Sequence, residues 1–591
     1  MVRRREVAEE ETRFRLVGTA RLLLVLVAIV GMLVIVFAKA ADHWWYGVGG
    51  AVVAFVVLLV VHQRIERRRL RARAGLLYCE RGCARLSGDW SAAREGAAFA
   101  KDDHPYGSDL DVFGKSSLFQ RTSVAATRFG EETIASWLSA PPESAAAVTA
   151  RQLAAKELSK KHELREQLAI LGATLGDNHD PAPMLAWIEQ KGEPFPQLLW
   201  QGLGVVVPTI VLGALVIGRA RGWSTALSMG PYALSVLLGL SMRGKTSPVV
   251  AAVTSQESSL SAYGELFGLI ESQKFESPLL VDVQKRVVSA AAGVVSATSS
   301  MRRLGVIVGF ADGLSNEVFR LLVAPMFFFE PLIVLALDGW RRRNATAVRQ
   351  WLMALGELEA LSSFATMAFD DATLCWPEVT DTIRFEAVAL GHPLIPRQKR
   401  IANDVSLSGP GTALVITGSN MSGKSTLMRA MGANVVLALA GAPACASELR
   451  IGMLRVATSM RVADSLAEST SRFYAELKKL KLVVDLAKKG DGVFFLLDEI
   501  LHGTNSRERL IGARALVRDL LAKGALGAVS THDLGLSDLD SELAGKVRNV
   551  HFQEQVDADV MTFDYRLREG VVHSSNALRL MKIVGLDIGE S

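Results

Sequence analysis

Residues 413–426 read ALVITGSNMSGKST, and residues 493–500 read VFFLLDEI. The first stretch opens with the run 413–417, which predicts a buried strand, and it passes through a loop into a predicted helix from Ser425 onward. The second stretch is five apolar residues followed by Asp498 and Glu499, which is typical of a parallel strand buried on both faces. Both stretches predict an α/β domain with its polar groups at the carboxyl ends of parallel strands.

The loop between this strand and this helix has the spacing G-x-x-x-x-G-K-[ST]. Glycines let such a loop fold tightly, so that backbone N–H groups point at phosphate oxygens beside a helix N-terminus. The lysine then contacts the β- and γ-phosphates of ATP, and the hydroxyl of Ser425 binds Mg²⁺. The sequence therefore predicts a P-loop for ATP and Mg²⁺ that consists of Gly418, Ser419, Asn420, Met421, Ser422, Gly423, Lys424, Ser425 and Thr426.

Two further strands predict the chemistry beside this loop. Asp498, at the end of its strand, is a predicted metal ligand, commonly through water, and Glu499 is placed to polarise the attacking water as a general base. Another apolar strand, 527–530, is followed by His532, which can hydrogen-bond to a γ-phosphate. Glu499 and His532 are therefore predicted catalytic side chains of an Mg²⁺-dependent ATPase.

Length and composition predict several domains and membrane segments. A chain of 591 residues is too long for one compact core, and half of the residues are hydrophobic. The net charge of +5 is nearly balanced, so by itself it gives no indication of nucleic-acid binding. The cysteines fit neither a disulfide framework nor a zinc-ligand pattern, and we expect buried free thiols in a reducing cytosol at Cys79, Cys83, Cys375 and Cys445.

The N-terminal segment predicts a transmembrane hairpin. Apolar runs extend from Leu22 to Ala38 and from Gly47 to Val61, and arginines flank the pair on both outer sides. This charge pattern places both ends in the cytoplasm, so we expect a multi-pass protein of the inner (cytoplasmic) membrane with a cytoplasmic ATPase domain. A cleaved signal peptide is the alternative for the first run, because residues 38–40 are similar to a cleavage site. Nucleic-acid binding is the alternative for the arginines after Val61, although orientation of the hairpin also explains them.

The middle of the chain is predicted to be helical. Leu203 to Gly218 and Trp223 to Met242 predict a second transmembrane hairpin. Phe319 to Leu337 is apolar but contains two prolines and two charged residues, so we expect a buried or interface-lying helix pair there. Residues 143–172 and 346–369 have apolar side chains at helical spacing.

These features predict an α/β P-loop ATPase domain with a parallel sheet, preceded by an all-α lever domain and accompanied by transmembrane helical hairpins. The predicted segments are the first hairpin at 1–75, the first part of the helical domain at 76–200, the second hairpin at 201–245, the second helical part at 246–378 and the ATPase domain at 379–591.

Several motifs resemble those of the MutS family of mismatch-repair ATPases. The loop 417–426 includes the pair Asn420-Met421, which is unusual outside that family, and the switch 530–532 is similar to the family's. The resemblance covers about 380–585 and includes the signature-like segment 464–476, the acidic strand 497–500 with the loop 503–506, and landmarks at His392-Pro393 and Ser574-Ser575. It continues more weakly through 109–120, 127–130 and 137–138, which are similar to the start of the family's lever domain.

The resemblance implies a homodimer with composite ATP sites. The family's signature segment offers a serine to the partner's γ-phosphate, and Ser471 falls on that position. Ser471 is therefore a predicted catalytic residue that acts across the dimer. The family also implies DNA as a partner in mismatch repair, but the mismatch-reading N-terminal domain has no counterpart here, so DNA binding without mismatch recognition is the expectation.

Two functions stay open at this point. One is an ATP-gated clamp on DNA that is held at the membrane, and the other uses the same ATP-driven switch on a protein or membrane lipid. An ABC-type transporter is a third alternative, but the Leu-Ser-Gly-Gly-Gln element of those proteins does not precede the acidic strand. ATPase stimulation by DNA would separate the first two.

Overall fold

Helices form most of the chain up to residue 370, and a sheet domain follows. The structure is a computed structural model, and it describes the chain apart from residues 38–43, 177–180, 191–196, 255–256, 289–295, 313, 315–318, 420, 461–471, 491, 502–504, 544, 558–559 and 572–591. The helices are Val2–Phe37 (α1), Trp44–Leu86 (α2), Leu118–Thr122 (α3), Arg128–Ser139 (α4), Ala145–Lys160 (α5), His162–Ala173 (α6), Ala182–Glu189 (α7), Gln197–Arg221 (α8), Thr225–Thr254 (α9), Glu257–Glu271 (α10), Pro278–Val288 (α11), Ala297–Asp312 (α12), Phe329–Asp370 (α13), Lys424–Ala440 (α14), Arg472–Ala487 (α15), Ser506–Ala522 (α16) and Leu539–Glu542 (α17). The strands are Glu378–Thr380 (β1), Arg384–Leu390 (β2), Asn403–Ser408 (β3), Ala413–Thr417 (β4), Glu448–Gly452 (β5), Arg455–Ser459 (β6), Val493–Asp498 (β7), Leu526–Ser530 (β8), Val547–Asp557 (β9) and Val560–Glu569 (β10).

Two pairs of long helices have apolar outer surfaces. α1 packs against α2, and α8 packs against α9. In the described part of the chain, five helices are long and apolar enough to cross a membrane: α1, α2, α8, α9 and α13. Leu22 on α1 is 71% exposed and Val205 on α8 is 69% exposed. α13 differs, because most residues of its apolar stretch are buried inside the protein. It is therefore a core helix.

The prediction of a helix pair at Phe319 to Leu337 is wrong. Short π and 3-10 turns occupy Phe319–Val323 and Ala324–Phe327, and from Phe329 onward α13 is one continuous helix. Pro331 lies in the first turn of α13, where its missing N–H has no helical acceptor to lose, so it begins the helix and does not break it. The expected burial is present, since Val334 and Leu337 are fully buried.

The cysteine expectation is half wrong. Cys79 and Cys83 lie exposed on α2, whereas Cys445 is buried and Cys375 is half-buried. α2 continues well past its apolar half and contacts α6 there. A single helix packed on one side leaves its other face in solvent, and the two exposed thiols lie one helical turn apart.

The sheet domain contains two sheets. The larger has the order β10-β9-β4-β8-β7-β6, in which neighbours from β9 to β6 run parallel and β10 pairs antiparallel with β9. The smaller has the order β1-β5-β2-β3. Every residue of β4 and β8 is buried. The register places Ser530 beside both Ile416 and Asp498, so the carboxyl ends of β4, β8 and β7 meet at one edge.

The helical part and the sheet domain share one apolar core. Leu110, Phe119 and Phe364 belong to the same buried cluster as the residues of α14. A Cβ on Gly432 of α14 would lie 2.8 Å from side-chain atoms of both Leu110 and Leu496, so a larger residue would require these buried leucines to shift. The segment around Leu110 is thereby fixed against the helix that begins at Lys424.

Candidate active site

The loop after β4 forms a tight cradle around Lys424. Gly418 and Gly423 have φ values of 142° and 109°, which residues with side chains rarely adopt. Lys424 is only 4% exposed, and its Nζ donates hydrogen bonds to the carbonyl oxygens of Gly418 (2.8 Å) and Ser419 (2.9 Å). Burial is the main reason that its pKa lies below the usual value, although Glu499 and Asp498 oppose the shift. The cradle thus holds one buried ammonium group at the start of α14.

Two serine hydroxyls in the cradle are suited to an anion. The Oγ atoms of Ser419 and Ser422 are buried, and neither has a hydrogen-bond partner among the residues that the structure describes. A buried polar group without a partner costs about 1–3 kcal/mol, so a bound phosphate would relieve this cost. The N-terminus of α14 adds positive potential at the same place. Ser425 and Thr426 line the same cleft, and Asn420 lies outside the described residues.

Ser530 connects the two acids at the end of β7. Its hydroxyl donates a hydrogen bond to Asp498 Oδ1. The backbone N–H of Glu499 donates to the Ser530 hydroxyl (3.1 Å) and to its carbonyl oxygen (3.2 Å). Glu499 has a φ of 48°, an uncommon backbone conformation that this pairing supports. Ser530 therefore holds the Asp498 carboxylate and the Glu499 backbone in place, and the sequence alone did not identify it as a site residue.

The Glu499 carboxylate lies between two predicted site residues. Its Oε1 is 3.6 Å from Lys424 Nζ and also contacts Nε2 of His532. The structure therefore brings together Lys424, Asp498, Glu499 and His532, which come from three different strand ends. A carboxylate in this position can accept a proton from water, and an imidazole beside it can donate a hydrogen bond to a phosphate.

The donor set fits Mg²⁺ better than a metal held by the protein alone. Across the described ranges, no group of three or more His, Cys, Asp and Glu side chains is arranged to hold a metal ion. Mg²⁺ is usually bound by one or two protein oxygens together with water and phosphate oxygens. Ser425, on the cleft wall, and Asp498, at the end of β7, offer such oxygens.

The cleft beside the cradle has a volume of about 410 Å³, and part of its wall is apolar. Its lining includes Leu390, Ile401, Phe552 and Tyr565, which the sequence did not predict as site residues. His392 also lines the cleft, and burial, together with nearby arginines, lowers its pKa to about 4. Its neutral ring accepts a hydrogen bond at Nδ1 from the N–H of Leu394 (3.1 Å), so Nε2 carries the proton and can donate.

Ser471 lies outside the described residues, but both flanks of its segment are anchored to one carboxylate. Asp109 is 1% exposed and accepts hydrogen bonds from Thr458 Oγ1 (2.8 Å), the N–H of Met460 (3.0 Å) and Lys479 Nζ (2.8 Å). Met460 precedes the segment 461–471, and Lys479 is on α15, which follows it. The weak motif at 109–120 therefore contains a direct contact between the helical part and the sheet domain.

Comparison with known proteins places these residues in a family context. The family model of MutS domain V matches residues 414–588. The chain is 33% identical over 256 residues to the DNA mismatch repair protein MutS 2 of Halobacterium salinarum, and these residues are 42% of this chain and 29% of that protein. It is 31% identical over 251 residues to the DNA mismatch repair protein MSH3 of Phaeosphaeria nodorum, which is 40% of this chain and 22% of that protein. The chain thus spans less than a third of each relative, and the similarity supports a relationship to the MutS family and to its ATPase domain.

Proposed function

We propose, from the relationship of residues 414–588 to MutS domain V, that the chain is a membrane-anchored Mg²⁺-dependent ATPase that works as a homodimeric switch. The observation that carries the proposal is the meeting of Lys424, Asp498, Glu499 and His532 at one edge of the parallel sheet, beside a cleft of about 410 Å³. A lysine in a glycine cradle and two carboxylates at the end of another parallel strand of the same sheet are what phosphoryl transfer to water needs.

Each side chain has a defined task in this proposal. Lys424 and the hydroxyls of Ser419 and Ser422 bind phosphate oxygens, and Glu499 accepts the proton of the attacking water. His532, whose Nε2 contacts the Glu499 carboxylate in the structure, would exchange that contact for a hydrogen bond to the γ-phosphate when ATP binds. The Ser425 hydroxyl and Asp498, directly or through water, would hold Mg²⁺, which would supply positive charge opposite the phosphates.

The adenine base is proposed to bind against the apolar part of the cleft wall that includes Phe552 and Tyr565. Tyr565 has a φ of 54°, and Asn403 Nδ2 donates a hydrogen bond to its carbonyl oxygen (3.0 Å), so its position beside Gly423 is fixed by its neighbours. Stacking of a base on an aromatic ring contributes about 1–3 kcal/mol.

We expect Tyr565→Ala to weaken ATP binding by about tenfold or more, because the stacking surface is lost. Tyr565→Phe keeps the ring and is the matched control, and its affinity for ATP is expected to stay within about twofold. Fluorescence titration with an ATP analogue measures both values. Equal affinity of the alanine variant and the parent would place the base elsewhere.

The membrane assignment rests on the lengths and surfaces of four helices. α1 has 36 residues, so it extends over about 54 Å, more than the roughly 30 Å of a bilayer core. Its first half is charged and forms ion pairs outside the apolar run, for example Arg4 with Glu80 of α2 at 3.1 Å. Its second half, α8 and α9 carry exposed apolar side chains. We therefore propose a multi-pass protein of the inner membrane with the ATPase domain in the cytoplasm.

Two composite sites in a homodimer would use Ser471 from the partner. Chains with Ser471→Ala keep their own P-loop, and chains with Lys424→Ala still offer Ser471. A mixed dimer of these two chains would therefore have one complete site if Ser471 acts across the dimer. We expect partial recovery of ATPase activity on mixing two inactive variants, whereas no recovery would show that Ser471 acts within its own chain or has no role.

Asp109 is expected to couple the helical part to this serine segment. Asp109→Asn keeps the side-chain shape but removes the charge that faces Lys479, so both flanks of 461–471 lose a buried anchor. We expect ATP turnover to fall by about tenfold, the equivalent of one hydrogen bond to a charged group, with ATP affinity nearly unchanged. Steady-state kinetics measure this change, and Asp102→Asn, which alters an exposed side chain nearby, is the control. Normal turnover in the Asp109 variant would remove the coupling role.

The partner of the switch is proposed to be DNA, with a protein or membrane lipid as the second candidate. DNA is supported by the names of the two relatives, both DNA mismatch repair proteins. The second candidate is supported by α8 and α9, whose exposed apolar surfaces lie within the helical part. The deciding experiment measures the ATPase rate of the detergent-purified chain with and without duplex, branched and mismatched DNA. Stimulation supports a clamp on DNA, and neither stimulation nor DNA binding supports the second candidate.

A further inference from the structure

A second cavity lies next to the nucleotide cleft and is rich in arginine. It has a volume of about 200 Å³ and is formed by the end of α2, α3, the end of α13 and the loop 395–400. We call it the arginine cavity, and the charged residues that line it are Arg85, Arg121, Arg397, Arg400, Asp370 and Asp371. Four arginines against two aspartates give a formal charge of +4 − 2 = +2, so the cavity attracts anions.

Arg121 is the side chain that the protein itself leaves unsatisfied. Its Nη1 is buried and has no hydrogen-bond partner in the part of the chain that the structure describes. The guanidinium lies over the ring of Trp90, 5.5 Å from its centroid. Burial lowers the pKa of Arg121 to about 10, yet the group still carries its charge at pH 7. Leaving such a donor unpaired costs more than leaving a neutral one unpaired.

Two of the other arginines, Arg85 and Arg400, are held in place but keep donors for a ligand. Arg85 uses its Nε to donate to Asp370 Oδ2 (2.6 Å). Arg400 donates from Nε and Nη2 to the carbonyl oxygen of Ile395, and its Nη1 is 3.6 Å from Asp371 Oδ2. Because a guanidinium has five N–H donors in a fixed fork, these contacts orient each group without using all of its donors.

We propose that the arginine cavity is a binding site for a phosphate-bearing anion. The planar forks of several arginines suit phosphate oxygens, and 200 Å³ is below the roughly 300 Å³ of pockets for drug-sized ligands, so the ligand is small or inserts only its phosphate. Its source is either a soluble phosphorylated compound or the headgroup of an anionic lipid. The first source is favoured by the position of Arg85, which lies about 36 Å along α2 from Val61, where the apolar run ends.

The site also touches the nucleotide cleft. Ile395 lines both the arginine cavity and that cleft. A Cβ on Gly88, just after α2, would come within 3.0 Å of Pro396, so the end of α2 packs tightly on the same loop. An anion in the cavity would therefore join α2, α3 and the loop 395–400.

The test uses isothermal titration calorimetry of the full chain in detergent, in a Lys424→Ala background that removes phosphate binding by the P-loop. With inorganic phosphate as the probe, we expect one site per chain. Adding Arg121→Gln is expected to weaken phosphate affinity by about tenfold or more, since it removes a charge-assisted donor. Arg397→Gln changes an exposed side chain, so we expect the variant to fold like its parent and to lose about threefold in phosphate affinity. Arg81→Gln, one turn before Arg85 and outside the cavity, is the matched control and should bind like its parent.

A second titration with short-chain phosphatidic acid identifies the source. Tighter binding than that of inorganic phosphate assigns the site to a lipid headgroup, and equal or weaker binding assigns it to a soluble anion. The proposal is overturned if neither probe gives heat with the Lys424→Ala chain. It is also overturned if Arg121→Gln and Arg397→Gln both bind phosphate as the Arg81→Gln control does.

Discussion

Replacing Glu499 by glutamine is expected to slow ATP hydrolysis by about 10²–10⁴-fold while ATP stays bound, because general-base catalysis contributes a factor of that size. The carboxylate is positioned for this role by its own backbone. The N–H of Glu499 is paired with both oxygens of Ser530, and the hydroxyl of the same serine contacts Asp498. Glutamine keeps the shape and this backbone pairing, but its amide cannot take a proton from water.

ATP affinity is expected to be equal or higher in the Glu499→Gln variant. In the structure, Glu499 Oε1 lies 3.6 Å from Lys424 Nζ and competes with phosphate for that ammonium group. Without the negative charge, Lys424 interacts more strongly with the nucleotide, and repulsion between the carboxylate and the γ-phosphate is removed. The variant should therefore accumulate bound ATP.

Rapid filtration of the protein after incubation with labelled ATP shows whether the bound nucleotide is ATP or ADP. Glu448→Gln, on an exposed position of β5, is the control and should contain the products of normal turnover. A Glu499→Gln protein with a normal hydrolysis rate would remove Glu499 as the base. Attention would then turn to His532, whose Nε2 contacts the same carboxylate.

The strands of the site were predictable because each is encoded locally. β4 spans Ala413–Thr417, as the apolar run predicted, and β7 and β8 begin or end within one residue of the predicted limits. A buried parallel strand must be apolar along its whole length, so its signature survives in a single sequence. The polar residues that follow each strand could therefore be assigned to one edge of a sheet.

The supporting residues could not be predicted, because they depend on register and on distant packing. Ser530 becomes a partner of Asp498 only through the pairing of β7 with β8. Asp109 meets Thr458 and Lys479 across about 350 and 370 residues of chain. The sequence did not indicate Arg121 as a site residue. It becomes a candidate because its Nη1 is buried without a hydrogen-bond partner among the described residues, and burial is visible only in the structure. Local patterns cannot show which buried groups are left unsatisfied.

Helix limits in the middle of the chain failed for a different physical reason. The prolines and charged residues in the stretch 319–337 led us to expect a buried or interface-lying helix pair, but the effect of a proline depends on where it lies within the helix. Pro331 is in the first turn of α13 and is tolerated there, whereas Phe328, with a φ of 51°, marks the actual break. Whether a proline breaks a helix or is tolerated in it therefore depends on its position within the helix, which is set by packing on the core.

Replacing Lys424 by alanine is expected to abolish ATP binding at physiological concentrations. The ammonium group would make charge-assisted hydrogen bonds to two phosphates, each worth roughly 1.5–3 kcal/mol, which corresponds to a loss of about 10²–10⁴-fold in affinity. Among the described residues of the cradle, no other cation can replace this ammonium group. Lys424 alone reaches the carbonyl oxygens of both Gly418 and Ser419. Loss of the lysine side chain also removes the contact between α14 and the Glu499 carboxylate.

Lys399 provides the comparison that separates this specific contact from a general effect of charge. It lines the same cleft but is exposed at its mouth, so Lys399→Ala is expected to weaken ATP binding by no more than about threefold to fivefold, as for a solvent-screened pair. Titration of both variants with a fluorescent ATP analogue at two salt concentrations measures the difference, and circular dichroism shows whether each is folded. Suppose instead that both lysine variants lost the same amount of ATP affinity, and that added salt changed the two losses by the same amount. The cleft would then attract nucleotide only through its overall charge. A large, salt-insensitive loss confined to Lys424→Ala requires direct contact of the buried ammonium with phosphate, which is the geometry that the cradle of Gly418 and Gly423 provides.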